Sequence, residues 1–444
     1  MKTLSRQMAD FITSDIARQI TPEVCQTVQL AFLDTAGCIL SGRDEEVTRL
    51  FAAWVNKRYL NEQEASVFFS PQKHTAMVAA MLNAVSGHAL DFDDVALAGH
   101  PSVVLVPVLL AESDRSGLTG QDLISAYLKG YEIWADLLNR IPDPLHEKGW
   151  HPTAVLGTMG ATAALCAARQ LDIEKTTHAL GIAASRASGL VANFGSMCKP
   201  LHAGWAIEYA YGAVEMAAMG VTASADALEG STGFLTAFSD RQAPDRERPF
   251  EKQQALSINT VKPSIKKYPV CYASHRVIDG VLQLRQQHDI PIEHIQTITA
   301  TVSETNARVL KYQHPSTPLQ AKFSMPFACA SALVYGEVSL QKMTEDDITN
   351  PAIQTLMEKV KVSINNEACP LEPSFALHDD VTITLKDNTR LESGPIRFAL
   401  GHAHFPLAPA QLEAKILSCA KPAEQESTKA LIAKLNTHFT AMAI

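Results

Sequence analysis

Apolar positions recur at helical spacing through residues 1–265. After Thr21-Pro22-Glu23, the residues Val24, Val28, Ala31, Phe32 and Ile39 share one face. Thr21 is placed to cap this helix, Pro22 to open it and Gly42 to stop it. Leu123, Tyr127, Ile133 and Leu137 predict a second helix over residues 119–140, and further helices start near Pro152, Asp172 and Pro200. The last of these carries Ala203, Gly204, Ala206, Ala210, Gly212 and Ala213. Helix spacing depends on the side chains at the contact, so such small residues place this helix at the centre of the domain.

The pattern changes after Lys266. Residues 294–303 alternate, with Ile295, Thr297, Thr299 and Thr301 as strand formers, and Val360, Val362 and Ile364 alternate around Lys361 and Ser363. Residues 381–385 and 390–398 flank Asp387-Asn388, a hairpin signal. Residues 323–340 read as helix, and helix returns from residue 407. The expected fold is mainly α with an α+β insert: a large all-helical domain over residues 1–265 and 395–444, interrupted by a smaller α+β domain over residues 266–394.

Composition narrows the function. A chain of 444 residues is long enough for roughly two or three domains. A net charge of −9 and the lack of any Lys/Arg run exclude the basic footprint of a nucleic-acid binder. The first ten residues carry no apolar signal-peptide core. The longest uncharged run, residues 149–168, is broken by His, Pro, Thr and Gly and reads as a buried segment, not a membrane span. Eight cysteines without a Cys-x-x-Cys pair argue against a zinc ribbon or iron–sulfur cluster and for reduced thiols in the cytoplasm.

Polar, reactive residues gather in four segments: Gly87-His88-Ala89-Leu90-Asp91-Phe92-Asp93-Asp94 with Gly99-His100-Pro101-Ser102; Gly149-Trp150-His151-Pro152-Thr153; residues 193–204 around Lys199-Pro200-Leu201-His202; and Lys266-Lys267-Tyr268-Pro269 through Cys271-Tyr272-Ala273-Ser274-His275. His151 and Lys199 each precede an expected helix start, where free N–H groups favour an anion. With His100, His202 and His275 they describe a cationic, imidazole-rich pocket suited to a small polyanion and to proton transfer. Plainer readings compete. The three aspartates could cap a helix or pair with surface lysines, His88 or His202 could be satisfied core groups, and Lys266-Lys267 could be a solvated pair. His402-Ala403-His404 reads as a loop, with a spacing that would also suit a metal. Lys199 resists such a reading, since burying an unpaired ammonium is costly. His74, His146, His178, His288, His294, His314, His378 and His438 lie in polar contexts that place them at the surface.

Together these segments resemble the MmgE/PrpD family, which includes a cofactor-free 2-methylcitrate dehydratase, cis-aconitate decarboxylase and iminodisuccinate epimerase. The matching stretches are His88 to Asp94 with His100-Pro101-Ser102, Trp150 to Thr153 with Gly157 and Gly160, Lys199 to Gly204, Lys266 to Pro269 with Ala273-Ser274-His275, and Ala321-Lys322-Phe323-Ser324-Met325-Pro326-Phe327. Five motifs in order cover nearly the whole chain. The resemblance implies that the α+β domain is a lid and that a homodimer forms through the helical part. It also implies a site between the domains for a small carboxylate substrate, lined by Asp91, His100, His151, Lys199 and His275, with neither metal nor other cofactor.

Decarboxylase-like members carry Thr where this chain has Val95 and His where it has Cys271, and the loop between Asp94 and His100 is short here. The expectation is therefore a 2-methylcitrate dehydratase-like hydro-lyase first, and an epimerase of an imino or amino dicarboxylate second. The segments at Asn193, Gly99 and Cys271 resemble that second branch. A cis-aconitate decarboxylase or a non-catalytic carboxylate-binding homologue ranks lower. In the expected mechanism Lys199 and Lys266 or Lys267 hold carboxylates, with His202, Thr153 and Tyr272 in the binding set, and Lys199 stabilises the enolate-like charge. His151 and His275 form the preferred acid/base pair, with His100 third, and Asp91 orients a histidine or a water. A rival from another class, an isoprenoid cyclase using Asp-x-Asp-Asp, lacks a second acidic motif and has only 7% aromatic residues to line a carbocation pocket.

Overall fold

Local sequence chemistry starts most of the long helices. In the computed structural model, which describes residues 2–59, 62–251, 255–372 and 374–440 with side chains through residue 437, Thr21 caps Pro22–Gly42 by accepting from the Val24 N–H at 3.3 Å. His438 falls outside the described side chains. Gly120–Arg140 begins on a reciprocal Thr119/Asp122 capping box, Pro152–Ala168 on a first-turn proline and Ile173–Ala184 on an Asp172 cap. The Cys198–Ala218 helix corrects one expectation. It starts at Cys198, not Pro200, so Lys199 lies inside its first turn. Proline is tolerated there because first-turn N–H groups have no acceptor within the helix.

Cys198–Ala218 is central, as its small residues predict. It packs against Ala76–His88, Pro152–Ala168 and Ile173–Ala184. A Cβ added to Gly204 would lie 2.7 Å from Val85 Cγ2, so the close approach needs glycine. Pro22–Gly42 is long and apolar enough by composition to cross a membrane, and 67% of its apolar window is buried against other helices. Residues 149–168 form the buried Pro152–Ala168 helix and its approach.

The second core is built on a four-stranded sheet ordered Val360–Ile364, Ile295–Val302, Asp380–Leu385, Arg390–Glu392. The first pair is parallel, with Ile298 opposite Val360, and the other two pairs are antiparallel. Asn388 turns the hairpin at φ +66°. The last strand ends at Glu392, short of the expected residue 398, and only an isolated Asp379–Ile396 bridge follows. Helices His275–Gln287 and Met325–Tyr335 cover the sheet. The latter stops at Gly336, in the left-handed conformation, and not at Leu340.

The chain crosses between the two cores more than once. Residues 264 and 265 run between them: Ser264 exchanges backbone hydrogen bonds with Val95, and the Ile265 N–H donates to Gly401 O at 2.9 Å. Helices Pro409–Ser418 and Gln425–Thr440 return to Pro22–Gly42. Lys415 anchors this return, with its buried Nζ 2.5 Å from Asp34 Oδ1 and 2.9 Å from Phe92 O.

Candidate active site

The loop after Ala76–His88 carries the acidic motif in an unusual backbone. Asp91, Leu97 and Ala98 have φ of +52°, +50° and +59°, a region L-residues enter at a cost. Surrounding bonds hold them there: the Val95–Ser264 pair, the Ala96–Gly99 pair, and Trp134 Nε1 donating to Leu97 O at 3.0 Å. Gly99 admits the wall behind it, since a Cβ would meet Trp134 Cζ2 at 2.9 Å and Thr153 Oγ1 at 3.1 Å.

Asp91 is the hub. Its Oδ1 accepts from Lys199 Nζ at 2.5 Å, its Oδ2 lies 3.0 Å from Lys266 Nζ, and Lys266 also donates to its backbone oxygen at 2.7 Å. Asp93 holds two imidazoles. His88 Nδ1 donates to it at 2.9 Å, and His100 Nδ1 lies 3.1 Å from Oδ2 and 3.0 Å from Asp94 O. A carboxylate only accepts, so both rings are set with Nδ1 protonated and Nε2 free to accept. His88 spends that Nε2 on Lys199 at 3.3 Å. His100 Nε2 faces Asp91 Oδ1 at 3.7 Å. At 9%, His100 is the most exposed of the buried imidazoles of this cluster.

His151 stands beside them, stacked on His88 with ring centroids 5.8 Å apart, and its Nδ1 meets His202 Nδ1 at 2.9 Å. One of these two nitrogens must donate and the other accept. Phe194 from the helical domain and Phe323 from the α+β domain flank Lys199 Nζ at 5.3 and 5.6 Å. The cluster therefore sits where the two cores meet.

Burial works against every charge here, and the outcome differs by group. For Asp91 it would raise the carboxyl, but Lys199 and Lys266 outweigh it and hold the group well below the ordinary range. His88 and His100 do the same for Asp93. Burial, assisted by the lysine charges, lowers the imidazoles: His88 to about 3, His202 to about 4, His151 well below its usual value and His100 also downward. The site thus combines ionised carboxylates with imidazoles held in the neutral, base form.

His88, Asp91, Asp93 and His100 offer donor atoms within 4.8 Å of one another, a spacing that could suit a metal. Lys199 and Lys266 already bring their Nζ atoms against this set, at 2.5 and 3.0 Å from Asp91. A divalent cation there would face two ammonium groups, so the donor set fits lysine better than a metal.

Asp91, His100, His151, Lys199, His202 and Lys266 come together. Thr153 sits behind them, its Oγ1 accepting from the His100 N–H at 3.2 Å, which places it on a backbone rather than in open space. His275 has no hydrogen bond or ion pair to these groups among the described residues, though Lys266 and Asp91 act on it through their charges. It packs between Tyr268 and Tyr272, its Nε2 donates to Val270 O at 3.3 Å, and burial together with Lys266 lowers it to about 3. Tyr272 belongs to that group and also meets Phe375. Lys267 is half-exposed, and its charge acts on Asp279, the acceptor of the Tyr268 hydroxyl. His402 stacks on Phe398 and faces Glu372, in the loop expected of it.

Four surface expectations fail. His74 is buried in a short strand pair, His178 and His378 are half-buried, and His146 is half-buried on Phe194, where burial and the nearby His100 and Lys199 lower it to about 4. Asp93 and His88 as working groups and Lys322 as a buried cation are not among the expected site residues. Their signal was a charged or imidazole residue inside an otherwise apolar run, Gly-rich around His88 and Asp93, much like the signal that singled out Lys199.

Fold and site together define a two-domain, mainly helical protein with a buried lysine–carboxylate–imidazole cluster at the junction of its cores. The MmgE/PrpD N-terminal domain matches residues 6–247 and the MmgE/PrpD C-terminal domain matches residues 268–439. The chain belongs to the MmgE/PrpD family and is an enzyme of the lyase or isomerase type. It is similar to cis-aconitate decarboxylase of Mus musculus, 26% identical over 94% of this chain and 86% of the relative, and to that of Homo sapiens, 27% identical over 94% and 87%. Cis-aconitate decarboxylase of Aspergillus terreus is 25% identical over 82% of this chain and 81% of its own length.

Proposed function

We propose that this enzyme is a lyase that generates a carbanion next to a carboxylate of a small di- or tricarboxylate. The observation that carries this reading is Asp93, which sets His100 with a neutral Nε2 facing Asp91 beside Lys199 and Lys266. In the proposed reaction His100 or His151 moves the proton at carbon, and Lys199 and Lys266 hold the carboxylate into which the electron pair spreads. Loss of a β-hydroxide from that intermediate completes a dehydration. In a decarboxylation the C–C bond to the departing CO2 leaves the pair instead, and the carbon takes up a proton from solvent, relayed by His100 or His151. His275 stays a candidate in this reading: its Nε2 is engaged by Val270 O, and its buried Nδ1 has no hydrogen-bond partner among the described residues.

Cis-aconitate is the first substrate to assay, because the curated relatives bear that activity in their names. Two positions support dehydration as a second reading. Val95 offers no hydroxyl, and burial pushes the Cys271 thiol up to about 11, too high to replace an imidazole in proton transfer. Homodimerisation and a cytoplasmic location belong to the same reading, the latter supported by eight free thiols. The test is a product analysis of the purified enzyme with cis-aconitate, 2-methylcitrate, citrate and an imino dicarboxylate. Formation of an unsaturated dicarboxylate with CO2, or of an alkene by dehydration, upholds the lyase reading; an inverted centre alone, or no product from any of them, refutes it.

A further inference from the structure

A cleft of about 420 Å³ opens between the two cores, with Arg43, Glu45 and Leu90 on one wall and Leu319, Lys322 and Lys421 among the residues of the other parts of its lining. Its volume lies within the range of about 300–1,000 Å³ usual for small-molecule sites. Leu90 precedes Asp91, so this wall adjoins the catalytic loop.

The cations of the cleft differ in one respect. Arg43 is bonded to Glu424, and Lys421 lies 2.7 Å from Asp44. Lys322 is only 3% exposed and donates to one neutral acceptor, Pro269 O, at 2.9 Å. Among the described residues no carboxylate oxygen lies within 4 Å of its Nζ. Glu45 and Asp91 act on it only from farther off, while Lys266 and Lys199 repel it, and burial with that repulsion lowers it to about 8. A buried ammonium with no counter-ion is unfavourable by itself and becomes favourable when a ligand brings the anion.

We propose that Lys322 is the receptor for a further substrate carboxylate, remote from the reacting carbon, and that it selects tricarboxylates over dicarboxylates. This rests on the carboxylate reading above and names the substrate class within it. Lys199 and Lys266 are already shared by Asp91 and serve the reacting end, which leaves Lys322 as the buried cation beside the cleft without an acid of its own.

The test compares binding of propane-1,2,3-tricarboxylate and glutarate to the full chain by calorimetry, in the wild type, Lys322→Gln and Lys322→Arg. The wild type is expected to bind the tricarboxylate at least about tenfold more tightly, the effect of one added charged contact. Lys322→Gln brings the ratio to about one, and Lys322→Arg keeps a preference. A ratio unchanged in Lys322→Gln overturns the proposal while leaving the carboxylate reading intact; a wild type that binds neither acid and converts no carboxylate overturns both. Melting of unliganded Lys322→Met separates a structural role: an unchanged or higher Tm fits a charge awaiting its ligand, and a clear fall would assign Lys322 to holding Pro269 and overturn the proposal.

Discussion

Asp93 touches two imidazoles and, among the described residues, no lysine or arginine, yet the arrangement of the site depends on it. Removing its charge frees the tautomers of His88 and His100 at once. Asp93→Asn should lower kcat by about 10²-fold, the usual scale of a misplaced acid/base group, with a smaller change in KM. Steady-state kinetics on the converted substrate checks this, and a variant with full kcat would remove His100 from proton transfer. At this scale the sequence was half legible. Lys199 and His151 stood out because their neighbours are apolar or glycine. Lys266 and Lys267 could not be told apart, since neighbours of the same type in one irregular segment carry the same local signal, and only the fold turns Lys266 onto Asp91. Asp93 was hidden by its neighbours, because an Asp-x-Asp-Asp string does not reveal which carboxylate turns inward to histidine and which, like Asp94, turns to Ser102.

Between elements, close helix contacts and one buried ion pair set the frame. Gly130 faces Gly160 O, and a Cβ there would lie 2.7 Å from that backbone oxygen, which has no rotamer by which to retreat. Gly130→Ala should cost about 1–3 kcal/mol, read as a lower urea midpoint with unchanged slope. Asp34 and Lys415 join the C-terminal segment to Pro22–Gly42 and to Phe92 in the catalytic loop. Burial opposes the Lys415 charge and Asp34 outweighs it. Asp34→Ala therefore leaves a buried cation and should cost about 3–5 kcal/mol, whereas Asp34→Leu with Lys415→Met should recover most of that. Equal losses in the single and double variants would contradict it. Helix starts were legible because caps and first-turn prolines act locally, as Thr21, Thr119 and Asp172 do. The end of the last strand was not, since Glu392 still pairs with Thr382 and the ladder stops just after it through the course of the chain, not through local propensity. The Asp34–Lys415 pair, far apart in sequence, had no local signal at all.

For the whole molecule, the buried imidazoles set the response to acid. His88 and His275 titrate near 3 and His146 and His202 near 4 when folded, against an ordinary value near 6.5. Above pH 6.5 these groups are neutral in both states and stability is full. As pH falls below 6.5 the unfolded chain takes up protons that the folded chain refuses, so stability is lost progressively toward pH 4 and below. Each group contributes a slope of about 1.4 kcal/mol per pH unit in that window. Urea unfolding from pH 7.5 to 4.5 should show the decline, and His202→Gln should make it shallower; a stability flat to pH 4.5 would mean that the imidazoles are accessible to protons in the folded state. The same depression predicts that the acid limb of kcat/KM lies below pH 6.5.

The division into a helical part and an α+β part was legible because hydrophobic period changes from helical to alternating near Lys266. What joins them, the site shared by Lys199, Lys266 and Phe323, was visible only through the family resemblance. The central claim is that this junction makes a carbanion next to a carboxylate. Proton NMR of turnover in D2O, with cis-aconitate first and 2-methylcitrate and citrate after it, tests that most directly. The account predicts substrate loss with deuterium delivered to, or a solvent-exchangeable proton removed from, the carbon beside a carboxylate. It is contradicted if every acid stays intact and none exchanges at carbon while the protein is folded.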